Sequence, residues 1–258
     1  EAAALAARSA LSPGDLGLVV DIGGGTSDFT LFRQKGTREI EILHSNGLRL
    51  GGTDFDKELS LAHVMPQLGR GTPIRHEFGD QTHIAPNKIF TDLATWQKIP
   101  FLYAADTRRA AKDLARNAVE VKRLERLVKV LDDELGHDLA FAVEAGKMTA
   151  NDPAATAPPE INLDILEKGI RLPLPPAMMA ATLMECAAAI AQTASDTVER
   201  AGLTPQDVTK LVFVGGSSLM GVVGTALRQQ FPGADVHRAS ALTGVVDGLA
   251  LAAEEAFK

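Results

Sequence analysis

The sequence predicts an α/β layer interrupted by a mostly helical inserted subdomain. Two apolar runs, residues 16–21 (LGLVVD) and 211–214 (LVFV), each stop at consecutive glycines, as buried strands feeding tight turns do. Residues 106–136 form a highly charged block with apolar residues near three-four spacing, and residues 151–160 (NDPAATAPPE) break the chain after it. Strands and helices lie on both sides of that block. The expected boundaries are therefore residues 1–64 and 171–258 for the α/β part and 65–170 for the insert.

Taken in order, residues 16–21 read as a buried strand that ends in Gly23-Gly24-Gly25. Residues 26–32 (TSDFTLF) favour β structure, and residues 38–45 (REIEILHS) alternate Glu39 and Glu41 with Ile40 and Ile42, which completes a three-strand meander. Asn46-Gly47 and Gly51-Gly52 break the pattern. Thr53, followed by Asp54, Asp56 and Glu58, then opens a helix with acids at its positive end.

The composition turns to Gly, Pro, His and Thr over residues 65–100, and Phe90, Trp96 and Phe101 are expected to form a small core there. In the charged block the apolar stripe is Leu114, Val121, Leu124, Val128, Leu131 and Leu135, on a helical hairpin or one long helix. Residues 161–166 read as a strand. Pro175-Pro176 start a long Ala- and Met-rich helix that Gly202 stops, with Met178, Met179 and Met184 expected as core filler. Thr204-Pro205 is a cap and first-turn signal before the strand at 211–214. Beyond Gly215-Gly216 the pattern predicts a helix to about residue 230, a strand near 235–237 and a final helix from about residue 241.

Composition narrows the function classes. Acidic residues outnumber basic ones 33 to 26, for a formal charge of -7, so the chain lacks the positive field that draws in phosphate backbones or anionic lipid. Neither nucleic acid nor a membrane is expected as a partner. No uninterrupted apolar run approaches the roughly 18 residues of a spanning helix. Cys186 is the only cysteine, in an apolar run, which fits a buried residue of a reducing compartment, and the chain reads as soluble and cytoplasmic. The six histidines share no metal-ligand spacing.

Four motifs carry candidate chemistry. In DIGGGTSDFTLF (21–32), three glycines between strands let a hairpin offer backbone N–H groups to an oxyanion, because no Cβ blocks the approach and positive φ is cheap. Thr26 adds a hydroxyl, and Asp21 and Asp28 stand where a hydrated magnesium ion can be held. In VFVGGSSLM (212–220), Gly215-Gly216 makes either an ordinary strand-to-helix turn or a ligand contact, with Ser217 and Ser218 available to cap the next helix. Glu144 and Lys147 lie one helical turn apart in VEAGKMTAN (143–151), as a surface ion pair or as paired ligand contacts. In LGGTDFDKEL (50–59), Gly51-Gly52 permits a close backbone approach, and Asp54 is a ligand or a first-turn acid.

Together these motifs resemble the DnaK-type heat-shock chaperones of the actin-like ATPase superfamily, whose lobes have a ribonuclease H-like fold. DIGGGTSDFTLF is similar to the second phosphate motif, VFVGGSSLM to the adenosine motif, LGGTDFD to the segment between them, and EAAALAA (1–7) to the alanine helix after the first connecting motif. NKIFTDLATWQKIPFLY (87–103) and GHDLAFAVEAGK (136–147) look like the short bacterial chaperones of the YegD type.

The resemblance implies ATP or ADP with Mg2+ as cofactors. It implies Gly23, Gly24, Gly25 and Thr26 on the phosphates and Asp21 and Asp28 on magnesium waters. Gly52, Thr53 and Asp54 fall at the cleft edge, Glu144 and Lys147 at the ribose and adenosine, and Gly215, Gly216 and Ser217 against the nucleoside. Thr53 stands where the family has glutamate, and Met148 and Leu219 stand where it has two adenine-clamping arginines, so base preference is expected to be loose. Asn151 and Leu242 replace a further serine and aspartate.

The family's Asp-x-Gly-Thr motif and the lysine after it do not occur, which implies a second lobe that by itself binds nucleotide weakly and turns over little or nothing. No catalytic residue is assigned. Partners implied by the resemblance are nucleotide, protein clients and co-chaperones. An actin-fold small-molecule kinase or polyphosphatase, and a non-hydrolysing scaffold, are the alternatives.

Overall fold

A computed structural model of the chain describes residues 12–36, 39–76 and 81–238, together with Ala253. The opening alanine helix, Leu242 and all of the last expected helix except Ala253 lie outside the described residues. Two compact units divide the chain, one running up to Gly52 and resuming at Met184, the other spanning Thr53–Leu183.

The first unit is built on a five-stranded mixed sheet in the spatial order Ile40–Leu48, Ser27–Gln34, Leu16–Ile22, Lys210–Val214, Asp235–Arg238. β1 (Leu16–Ile22), β2 (Ser27–Gln34) and β3 (Ile40–Leu48) form the antiparallel meander the sequence predicts. β8 (Lys210–Val214) and β9 (Asp235–Arg238) add to the other side of β1 in parallel. Because β1 lies at the centre, both its faces are covered, which is why it reads as a continuous apolar run. Val19 clusters on one face with Phe32, Val212 and Val214, over which Ile40 and Ile42 pack. Leu18, Val20 and Ile22 point to the other face and are fully buried.

In the second unit, α1 (Gly52–Leu59) enters from the unit border. Residues 65–100 resolve into short pieces, among them the hairpin β4 (Pro73–Arg75) with β5 (Thr82–Ile84) and the helix α2 (Asn87–Leu93). The charged block is a helical hairpin, α3 (Ala105–Asn117) and α4 (Val121–Asp132), followed by α5 (Gly136–Asn151). Its stripe departs from the expected one. Leu124, Leu127, Val130 and Leu131 are fully buried on α4, with Ala111 and Ala115 facing inward from α3, whereas Val121 is exposed. A turn at Ala118 resets the helical phase, so one stripe cannot run through both helices.

Three further expectations are corrected. Only Phe90 of the expected aromatic core is buried; Trp96 is 40% exposed and Phe101 79% exposed, because residues 96–103 form a 3₁₀ segment that interrupts any helical stripe. The strand expected at 161–166 is the short β6 (Glu160–Asn162), paired with β7 (Arg171–Pro173). On α6 (Pro176–Arg200) Met179 is buried, but Met178 and Met184 lie off the buried stripe of Leu183, Ala187, Ile190, Ala194 and Val198. By length and composition alone α6 contains an 18-residue window, of mean hydropathy 1.2, apolar enough to cross a membrane, although Glu185 interrupts the apolar run. We expect Phe101→Ser to shift unfolding stability by no more than about 0.5 kcal/mol, since an exposed ring contributes little to packing; urea denaturation checks this against the wild-type midpoint.

Candidate functional site: a glycine-lined hairpin and a separate carboxylate-lined cavity

The first site grows out of the end of β1. The β1–β2 ladder closes with Ile22 opposite Ser27, and the Gly23 N–H donates to the Thr26 carbonyl at 2.9 Å, so Gly23–Thr26 forms the hairpin tip. Gly24, Gly25 and Thr26 are exposed, and a Cβ at Gly24 or Gly25 would meet nothing within 4 Å. None of the three glycines has positive φ, which corrects the conformational half of the sequence argument: the open approach is the property this turn uses.

Gly51 and Gly52 back the hairpin. A Cβ at Gly51 would lie 2.7 Å from the Gly24 carbonyl carbon and the Gly25 nitrogen, and the Gly52 N–H donates to the Gly23 carbonyl at 3.0 Å. Ser27 Oγ ties the same segment down by donating to the Leu50 carbonyl at 2.7 Å. The β8 turn arrives from the other side. Gly215 has φ +81°, and a Cβ there would meet the Ile22 carbonyl at 2.4 Å and Asp21 Oδ1 at 2.9 Å. Ser217 is adjacent, since its Oγ would lie 2.5 Å from a Cβ on Gly52. Hence Gly23–Thr26, Gly52 and Gly215–Ser217 come together in one unit.

Asp21 and Asp28 are direct cross-strand partners at the mouth of this hairpin. Two carboxylates in that relation repel. Burial, with the Asp28 charge added, holds the Asp21 carboxyl above its usual range. Thr26 Oγ1 donates to Asp28 Oδ2 at 3.2 Å. Among the described residues, no three His, Cys, Asp or Glu side chains gather as a metal-holding group, so a cation here would keep most of its waters and use these two carboxylates.

Neither serine caps the helix after this turn. A 3₁₀ turn, Gly216–Leu219, intervenes; Ser218 Oγ donates back to the Gly215 carbonyl at 2.7 Å, and α7 (Gly221–Gln230) starts at Met220 without a side-chain cap.

The remaining predicted residues belong to the second unit. Thr53 and Asp54 occupy the first turn of α1, and Glu144 and Lys147 lie on α5. Lys147 is buried at 8% exposure, yet it does not pair with Glu144. Its Nζ lies 2.8 Å from Asp56 Oδ1, an ion-pair contact without the angles of a directed hydrogen bond. Burial raises the Asp56 carboxyl above its usual range, the Lys147 charge opposes that, and the Glu144 charge adds to it. Asp56, the second acid of TDFD, one turn after Thr53, joins the site only through this pairing with Lys147, and its signal in the sequence is that acid spacing alone. Thr53, Asp56, Ser60, Trp96, Phe141 and Glu144 line a cavity of about 300 Å³. Met148 and Leu219 are both exposed.

Fold and sites thus define a mixed α/β protein with a glycine-lined hairpin flanked by two carboxylates. No family model matches the chain. It is similar to the chaperone protein DnaK of Nitrosopumilus maritimus (strain SCM1), 28% identical over 144 residues, a match that covers 52% of this chain and 22% of that relative. The relationship is a distant Hsp70-like one.

Proposed function

We propose that the chain is a nucleotide-binding lobe of a DnaK-like ATPase with an actin-like fold, related to the short YegD-type chaperones. In this reading the Gly23–Thr26 backbone receives the phosphates, and the Gly215–Ser217 turn meets the nucleoside. Gly52, Thr53, Asp54, Glu144 and Lys147 are the further contacts the family resemblance assigns. Asp21 and Asp28 would hold a magnesium ion through its waters, where the ion would neutralise phosphate charge. The proposal covers binding, and no described residue is assigned a catalytic role. Client proteins and co-chaperones belong to the same proposal.

One observation carries it. The hairpin tip is glycine at positions where neither φ nor packing demands glycine, and it lies beside a like-charge pair whose repulsion a cation would relieve. A fold that needed only a tight turn would accept side chains at Gly24 and Gly25. A ligand that sits on the backbone would not.

Stability and binding should therefore separate. Gly24→Val and Gly25→Val are expected to leave unfolding stability within about 1 kcal/mol, while weakening Mg-ATP binding about tenfold or more in calorimetric titration. The double variant Asp21→Asn, Asp28→Asn should remove the magnesium dependence of ATP binding. Wild-type protein that binds no nucleotide at millimolar concentration would defeat the proposal.

A further inference from the structure

We infer that the cavity of the second unit binds a small organic cation, a protonated amine or amidine carried on a flat apolar body. The inference goes beyond the nucleotide reading and shares only Thr53 and Glu144 with it. At about 300 Å³ the cavity has the lower size of a small-molecule site. Its wall is aromatic: Trp96 and Phe141 meet edge to face with ring centroids 5.3 Å apart, and both keep large exposed areas, 40% and 55%. Such rings remain wet unless something flat covers them.

The polar part of the lining supplies the charge preference. Asp56 and Glu144 contribute carboxylates, Thr53 and Ser60 contribute hydroxyls, and no lysine or arginine lines the cavity. The nearby Lys147 ammonium is committed to Asp56, so the pair is close to neutral and Glu144 dominates the field. Burial raises the Asp56 carboxyl against the opposing Lys147 charge, and the Glu144 charge adds to that rise. A cation gains twice in this setting, from the ring faces of Trp96 and Phe141 and from a charge-assisted hydrogen bond to Glu144. A neutral ring gains only the stacking, and an anion is repelled.

The chain has one tryptophan, and it lies on the cavity wall, so its fluorescence reports occupancy directly. Titration with benzamidinium and phenethylammonium should give a saturable change, with phenethyl alcohol about tenfold weaker and hydrocinnamate without effect. Glu144→Gln should weaken the cation and leave the alcohol unchanged, narrowing the gap between them to what the ring faces alone supply. Followed by calorimetry, Phe141→Ala should weaken the cation about tenfold while leaving ATP binding unchanged. Gly25→Val should do the reverse. Equal responses to cation, alcohol and anion, or no response to any of them at millimolar concentration, would overturn the inference. If ATP fails to bind while the cations still do, the nucleotide reading fails and this one survives.

Discussion

Gly215→Ala is expected to destabilise the chain by about 4 kcal/mol, because strain and collision act at the same atom. Gly215 combines φ +81° with ψ 149°, a region that side-chain-bearing residues rarely occupy. Its new methyl would also be driven to 2.4 Å from the Ile22 carbonyl and 2.9 Å from Asp21 Oδ1. Neither neighbour can move easily, since Ile22 is paired to Ser27 in the ladder and Asp21 to both Asp28 and Val214. The strand-to-turn exit of β8 must therefore shift, and Ser217 with it. Urea denaturation should show a lowered midpoint at unchanged slope. Gly216→Ala is the control, because a Cβ there meets nothing within 4 Å. A Gly215→Ala protein as stable as that control would contradict the turn geometry.

The second large effect belongs to the ion pair beneath the cavity. Asp56→Ala leaves the Lys147 ammonium buried without its countercharge, at an expected cost of about 3 kcal/mol. Lys147→Met strands the other partner, and the two losses should differ in their pH dependence. The folded-state pKa of Asp56 is already raised from 3.8, with burial the main cause and Lys147 opposing it; removing Lys147 raises it further. A carboxyl with a raised folded pKa binds its proton more readily in the folded state, so stability falls as pH rises from the unfolded towards the folded value. The Lys147→Met loss should thus be largest near neutral pH and shrink as pH is lowered towards the ordinary carboxylate range. Acid should bring no such relief to Asp56→Ala. Denaturant titrations of both variants at several pH values decide this, and parallel pH profiles would show that Asp56 does not titrate as the geometry requires.

Strands, long helices and glycine turns were legible in the sequence because each is a local pattern. The apolar runs at 16–21 and 211–214 became β1 and β8, and the proline-first, glycine-last helix became α6, which is followed by Gly202 at φ +75°. The Thr204-Pro205 cap is a reciprocal capping box with Asp207. Residues 96–103 and the α3–α4 turn were not legible in the same way. There the chain leaves the helical period, so a stripe extrapolated across the turn assigns Val121, and a cluster of nearby aromatic residues assigns Phe101, to a core they do not reach.

The candidate site divides along the same line. The sequence by itself determined which segments carry glycines and carboxylates, since turn chemistry depends on adjacent residues. Only the tertiary structure decided that Asp21 faces Asp28 across a ladder, that Gly51 presses on the hairpin tip while Gly24 and Gly25 stay open, and that Lys147 chooses Asp56 over Glu144. Those relations depend on strand register and on distances between residues far apart in the chain, and local periodicity contains neither. A lysine one helical turn from a glutamate can pair with it, but Glu144 is exposed whereas Asp56 on α1 is partly buried, where water screens the attraction less, and that contact wins.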